Sequence, residues 1–101
     1  MRYLIGIDIG TSATKTILMD EEGNVAAQAV RDYPLYQPDN GWAEQAPEDW
    51  QQAALETLKQ VVEQSGVNRG DIQGIGLSGQ MHGLVMLDEA GNPIRRSIIW
   101  C

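Results

Sequence analysis

The sequence predicts an α/β fold, and three observations predict it. Residues 3–31 hold three short apolar runs split by Gly, Asn, Asp and Ser. Pro47 opens a stretch whose apolar residues recur at helical spacing, and apolar runs resume after Asp71. Short apolar runs bounded by turn residues read as strands, and short turns between successive strands give an antiparallel meander.

The first strand is Tyr3–Ile7, which ends on Asp8; Gly10, Thr11 and Ser12 then turn the chain into a second strand, Lys15–Asp20. A glycine turn, Asp20-Glu21-Glu22-Gly23-Asn24, leads to a third strand, Val25–Arg31, which is rich in alanine, a poor strand former. Asp32–Ala46 reads as a loop, with Pro34, Pro38 and the turn Pro38-Asp39-Asn40-Gly41. Tyr36 and Trp42 are expected to close over the core, because aromatic side chains act mostly through buried area.

Proline is favoured at the first helical position, and Glu48 and Asp49 complement the positive end of the helix dipole. Trp50, Ala54, Leu58, Val61 and Val62 form the apolar stripe. Glu56, Lys59, Gln60 and Glu63 face outward, with Glu56–Lys59 and Lys59–Glu63 at ion-pair spacing. Ser65-Gly66 ends the helix, and Ala46 is a poor N-cap. A further strand spans Ile72–Leu77, where Gly74 and Gly76 imply a closely packed neighbour. Leu84–Leu87 and Ile94–Trp100 read as two more strands around Asp88-Glu89-Ala90-Gly91-Asn92, a near copy of the first glycine turn.

The length, 101 residues, suits one domain with a modest core. A net charge of −7 argues against duplex nucleic acid and anionic membrane as partners. No apolar run approaches the ~20 residues of a membrane helix. Asp8 interrupts the apolar segment that a signal peptide needs. The one cysteine, Cys101, permits no internal disulfide and points to a reducing compartment, the cytoplasm. Ser97–Cys101 is apolar to its last residue, so residues 1–101 are expected to be the N-terminal part of a longer protein, truncated within its first domain. Strand Ile94–Trp100 also offers an edge to a second copy, making a homodimer an expected partner.

Two stretches carry chemistry. At the first, Gly10 can take positive φ, so that the N–H groups of Gly10, Thr11 and Ser12 converge. Those amides, two hydroxyls and Lys15 suit a phosphate. Asp8 suits Mg²⁺ held through water, since that ion gives up its hydration reluctantly. The same residues also suit a glycine hairpin with no ligand. Neither GxxxxGK[ST] nor GxGxxG occurs. At the second stretch, Ser78–Gly83, Gln80 offers donors and an acceptor, Met81 an apolar wall, and His82, the sole histidine, a donor or acceptor. That mixture suits a polyol; it equally suits a turn with Met81 in the core and His82 in solvent. His82 fits a hydrogen-bonding role better than that of a base, because no neighbouring residue orients it.

Ile7–Ser12 with Lys15, then Gly41-Trp42-Ala43-Glu44-Gln45-Ala46-Pro47-Glu48-Asp49-Trp50, then Gly79-Gln80-Met81-His82-Gly83, together resemble the start of the FGGY family of carbohydrate kinases. Within that family Gly79–Gly83 is most similar to the xylulokinases. The resemblance runs over essentially the whole chain. It implies a ribonuclease H-like, actin-like ATPase fold and transfer of the ATP γ-phosphate to a sugar, with D-xylulose becoming xylulose 5-phosphate. It implies ATP and Mg²⁺ as cofactors and Asp8 as the metal-associated catalytic aspartate. It makes Gly10, Thr11, Ser12 and Lys15 the phosphate-binding residues, and Gln80, Met81 and His82 the sugar-binding ones. Glycerol kinases carry Arg-Glu where Met81-His82 stand, which argues against glycerol; gluconate kinases share Met-His in a less glycine-rich setting. Ala46 departs from the Asp common in relatives, and Gln51 from a second Trp. The catalytic base, second phosphate loop and adenine pocket are expected beyond Cys101.

Overall fold

A computed structural model of the protein describes residues 1–80 and 83–99. The chain runs β1 (Tyr3–Ile9), β2 (Ala13–Asp20), β3 (Val25–Asp32), β4 (Glu44–Gln45), α1 (Pro47–Ser65), a 3₁₀ turn (Arg69–Asp71), β5 (Ile72–Gly79) and β6 (Ser97–Ile98). The main sheet has the order β3-β2-β1-β5. The expected meander is present, with β1–β2 and β2–β3 antiparallel. β5 joins the far side of β1 and runs parallel to it. A parallel return needs a long crossover, and the segment carrying α1 supplies it.

Alternation along the strands decides which face α1 covers. Ile5 and Ile7 of β1, Thr14, Thr16 and Leu18 of β2, and Ala29 of β3 are buried beneath it. The alanines of β3 make sense here: small side chains let the helix lie close over β2 and β3. From α1 the fully buried line is Ala53, Thr57 and Val61, with the expected Ala54, Leu58 and Val62 half-buried beside it. Thr57 was invisible to an apolar-stripe argument. Its hydroxyl donates to the Ala53 carbonyl at 2.8 Å and therefore accepts from Thr16 across the interface at 2.6 Å. Two hydroxyls facing each other satisfy what would otherwise be costly buried groups.

The helix ends match their sequence signals. Pro47 is at the start, Ala46 makes no side-chain cap, and Gly66 takes a left-handed conformation at φ 67°. Lys59 and Glu63 approach to 4.0 Å. Glu56, expected opposite Lys59, pairs instead with Arg31 of β3.

Several expectations are corrected. Residues 32–46 are not all loop: Tyr36 and Glu44 exchange backbone bonds of 2.9 and 2.8 Å, and β4 pairs antiparallel with β6. Trp42 does not close over the core but is 54% exposed, while half-buried Tyr36 lies under the Arg96 guanidinium, 4.2 Å from its ring centre. Leu84–Leu87 is no strand; Leu84 and Leu87 make single bridges, to Ile98 and Pro93. The register slips between them: Asp88 to Asn92 and Ile94 to Met86 flank the Leu87–Pro93 bridge, but Leu84 bonds Ile98, two residues out of that register, so no continuous ladder forms. Ile94–Trp100 likewise shrinks to Ser97–Ile98, and Trp100 lies outside the described residues. The near-copy turns do share their build: Asp20 Oδ1 accepts from Glu22 and Asn24, and Asp88 Oδ1 from Ala90 and Asn92, all at 2.9 Å.

Gly74 and Gly76 do not mark a tightly packed neighbour. A Cβ on Gly74 would reach only Leu4, at 3.9 Å, and one on Gly76 would meet nothing within 4 Å. β5 is the sheet's edge; its Ile72 packs against the core, but its Ile75 and Leu77 are exposed. A groove of about 530 Å³ runs between α1 and β5, lined by Leu55, Leu58, Val62, Ile72 and Ile75. Among the described residues no helix is long and apolar enough to cross a membrane.

Candidate functional site

The parallel pairing of β5 with β1 brings the two chemical stretches together. Ile9 is opposite Gly79, and the Gln80 N–H donates to the Ile9 carbonyl at 3.1 Å. Gly10–Ser12 and Gln80 therefore leave the sheet at the same end, the carboxyl ends of adjacent parallel strands, where open α/β sheets bind their ligands. Sequence spacing alone could not place residues 10 and 80 side by side.

Asp8 sits opposite Lys15 on β2 and Ser78 on β5. Both Asp8 and Lys15 are exposed on the sheet face away from α1, where they line a shallow hollow of about 420 Å³ with Gly6, Ile17, Gly76 and Ser78. Asp8 makes no ion pair, and no cluster of three or more metal-ligating side chains occurs, among the described residues. One free carboxylate at an open rim fits a Mg²⁺ ion that keeps most of its water, not an ion caged by protein.

The loop differs from expectation in two ways. Gly10 is not among the positive-φ glycines, which are Gly23, Gly41, Gly66 and Gly91. Its need for glycine is spatial: a Cβ there would lie 3.1 Å from the Ala13 carbonyl oxygen. The Gly10 N–H also does not point at a ligand, because it donates to that same carbonyl at 2.9 Å. Of the three loop amides, those of Thr11 and Ser12 have no acceptor among the described residues.

Gln45, which spacing did not single out as a site residue, is fully buried and sits at the junction. Its Nε2 donates to the Thr11 carbonyl at 2.5 Å. Its Oε1 accepts from Trp50 Nε1 at 3.0 Å and from Gln80 Nε2 at 2.8 Å. Indole N–H can only donate, which sets the orientation of the amide. The Gln80 side chain is thus committed at its nitrogen, while its Oε1 is buried with no partner among the described residues. Tyr33 is a second unforeseen member. Its hydroxyl donates to the Gly10 carbonyl at 2.5 Å and lies 3.2 Å from Thr14 Oγ1. Burial, with a smaller push from the Asp8 charge, raises the phenol's pKa against the pull of the Thr14 hydrogen bond, so it stays protonated as a donor.

Neighbouring Glu44 is buried, and its charge is met by Arg95 and by Arg96, whose Nε lies 3.2 Å from Oε1. That pairing and the β4–β6 bridge brace the segment that presents Gln45. Beside Gln80 a hollow of about 320 Å³ is lined by Ile9, Trp50, Gly79, Gly83 and Val85. Met81 and His82, the expected sugar contacts, lie outside the described residues.

Known proteins share this fold and much of its sequence. The N-terminal domain model of the FGGY family of carbohydrate kinases matches residues 3–101. Xylulose kinase of Bacillus subtilis is 51% identical over 100 residues, covering 99% of this chain and 20% of its own. The crystal structure of xylulose kinase from Rhodospirillum rubrum superposes with a TM-score of 0.87 at 34% identity, over 97% of this chain and 20% of that one. Gluconate kinase from Lactobacillus acidophilus superposes at 0.85 with 35% identity, over 96% and 19%. The chain thus spans about a fifth of the length of the relatives it matches. With a mixed sheet and helix of the actin-like ATPase type, it belongs to the FGGY family of carbohydrate kinases, in whose N-terminal domain it lies.

Proposed function

We propose that residues 1–101 are the start of a longer, two-domain cytoplasmic kinase that transfers the γ-phosphate of ATP to a ketose, D-xylulose, giving xylulose 5-phosphate. The observation that carries this reading is the convergence of the two loops, with Gln80 bonded to Ile9 at 3.1 Å and to Gln45 at 2.8 Å. A phosphate donor and its acceptor must meet within one site, and phosphoryl transfer is mostly positioning and charge neutralisation.

The roles follow from placement. Thr11 and Ser12 present free N–H groups to the phosphate, and Lys15 adds a positive charge across from Asp8. Gly10 supplies the room for the turn. Asp8 would hold Mg²⁺ through water, and the ion when bound would neutralise phosphate charge. Gln80, beside the hollow at Trp50, helps hold the sugar, and Met81 and His82 have the sugar-contacting role that the family resemblance implies. The base that takes the hydroxyl proton belongs to residues past Cys101.

Gluconate is the second reading, favoured by the likeness to the Lactobacillus acidophilus gluconate kinase. A coupled ATP assay on the complete protein, with xylulose, gluconate and glycerol side by side, separates them. Turnover highest with xylulose is expected. Preference for gluconate would transfer the proposal to that sugar, and no turnover with any of the three would end it.

A further inference from the structure

We infer that Tyr33 and Gln45 are positioning residues that aim the phosphate loop by clamping its carbonyls from behind. The inference rests on the kinase reading above and adds two residues to it.

The argument is peptide geometry. In a planar trans peptide the carbonyl and the following N–H point to opposite sides. Tyr33 holds the Gly10 carbonyl inward at 2.5 Å, so the Thr11 N–H on the same peptide faces outward. Gln45 holds the Thr11 carbonyl inward at 2.5 Å, so the Ser12 N–H faces outward. Neither of these two N–H groups has an acceptor among the described residues, and the next carbonyl, that of Ser12, accepts from the Tyr33 N–H at 3.2 Å. The third N–H, that of Gly10, is spent on Ala13 and needs no clamp. Pre-aimed donors cost no reorganisation when charge develops, which is where electrostatic catalysis draws its strength.

The two clamps differ in reach. Among the described residues Tyr33 hydrogen-bonds only to Gly10 and Ser12 of the phosphate loop and to Thr14. Gln45 also receives the Gln80 amide at 2.8 Å, so it ties the phosphate loop to the sugar loop. Changes at Tyr33 should therefore be felt by the nucleotide alone, and changes at Gln45 by both substrates.

The test uses Tyr33→Phe and Gln45→Glu in the complete kinase. Gln45→Glu keeps an acceptor for Trp50 and Gln80 but sets a carboxylate oxygen against the Thr11 carbonyl. Steady-state kinetics are read beside calorimetric binding of the non-hydrolysable analogue adenylyl imidodiphosphate with Mg²⁺. Tyr33→Phe should weaken analogue binding and lower kcat by about tenfold, below the ~10²–10³-fold cost of deleting a transition-state donor outright. Its sugar KM should stay within twofold. Gln45→Glu should weaken the analogue by a similar factor and raise the sugar KM as well.

Analogue affinity and kcat unchanged in Tyr33→Phe would overturn the clamps, as would a sugar KM in that variant rising as far as the nucleotide's. If Gln45→Glu does not fold, the Tyr33→Phe result decides alone. Wild-type protein without sugar-kinase activity would instead overturn the reading beneath, and the clamps with it. Active wild type with indifferent variants overturns the clamps only.

Discussion

The chain turns at Gly10–Ser12 and again at Asp20–Asn24, and the two turns are held by different means. The second is held mostly from within: Asp20 Oδ1 accepts from Glu22 and Asn24, the Asp20 N–H donates to Asn24 at 2.9 Å, and Gly23 takes φ 87°, with outside bonds, among the described residues, only between Glu21 and Arg2. Residues 88–92 repeat it, with Gly91 at φ 86°. The first turn has one internal bond, Gly10 to Ala13, and borrows the rest from Tyr33 and Gln45. A turn that only reverses the chain can satisfy most of its amides from its own residues. A turn that must offer amides to a ligand cannot, so its carbonyls are held from outside.

The contrast can be broken in four ways, taken from the largest effect. Asp8→Ala in the complete kinase should cut kcat by about 10²-fold or more while barely changing the sugar KM, as expected for a charge-stabilising group. Near-normal turnover would take Asp8 out of the mechanism. Gln45→Met, which matches in size but offers no amide, should cost about 1–3 kcal/mol in urea unfolding for each buried N–H left without an acceptor, those of Trp50 and Gln80. An unchanged midpoint would mean that the amide network is not holding the loop.

The two chain-reversing turns should lose stability and nothing else. Gly23→Ala and Gly91→Ala meet no steric neighbour within 4 Å but are strained by their positive φ, so each should cost about 1 kcal/mol with kcat intact. Loss of activity from either would erase the distinction between the turns. The smallest effect is on pH. The Asn24 N–H, more than the other donors, holds the Asp20 carboxyl below its ordinary 3.8. A depressed native pKa stabilises the fold above that ordinary value and ceases to as pH falls through the native one. Asp20→Asn should therefore lower Tm slightly at neutral pH, and the difference from wild type should shrink in acid. A difference that persists unchanged below the native pKa would assign the effect to something other than ionisation.

Much of this was readable in the residues. The meander, the helix from Pro47 to Ser65 and both Asp-Gly-Asn turns follow from local propensity and turn chemistry, which act within a few residues of their cause. The motif Asp8–Lys15 likewise sets an expectation of phosphate chemistry, beside which the residues alone leave a plain hairpin open. The burial of Thr57 and Gln45 was not readable, because a polar side chain is buried only if a distant partner, Thr16 or Trp50, is there to meet it. The strands expected at Leu84–Leu87 and Ile94–Trp100 failed for a related reason: an apolar run needs a partner of matching register, and the Leu84–Ile98 and Leu87–Pro93 bridges do not share one.

By itself the sequence determined the local elements and the kinds of chemistry the chain carries, since these depend on residue type and near-neighbour spacing. Tertiary structure alone decided that β5 lies parallel beside β1, that Gln80 therefore meets the turn at Gly10, and that Tyr33 and Gln45 point its amides outward. The reason is physical: hydrogen bonds between residues far apart in the chain exist only after the fold has brought them within 3 Å or so of one another.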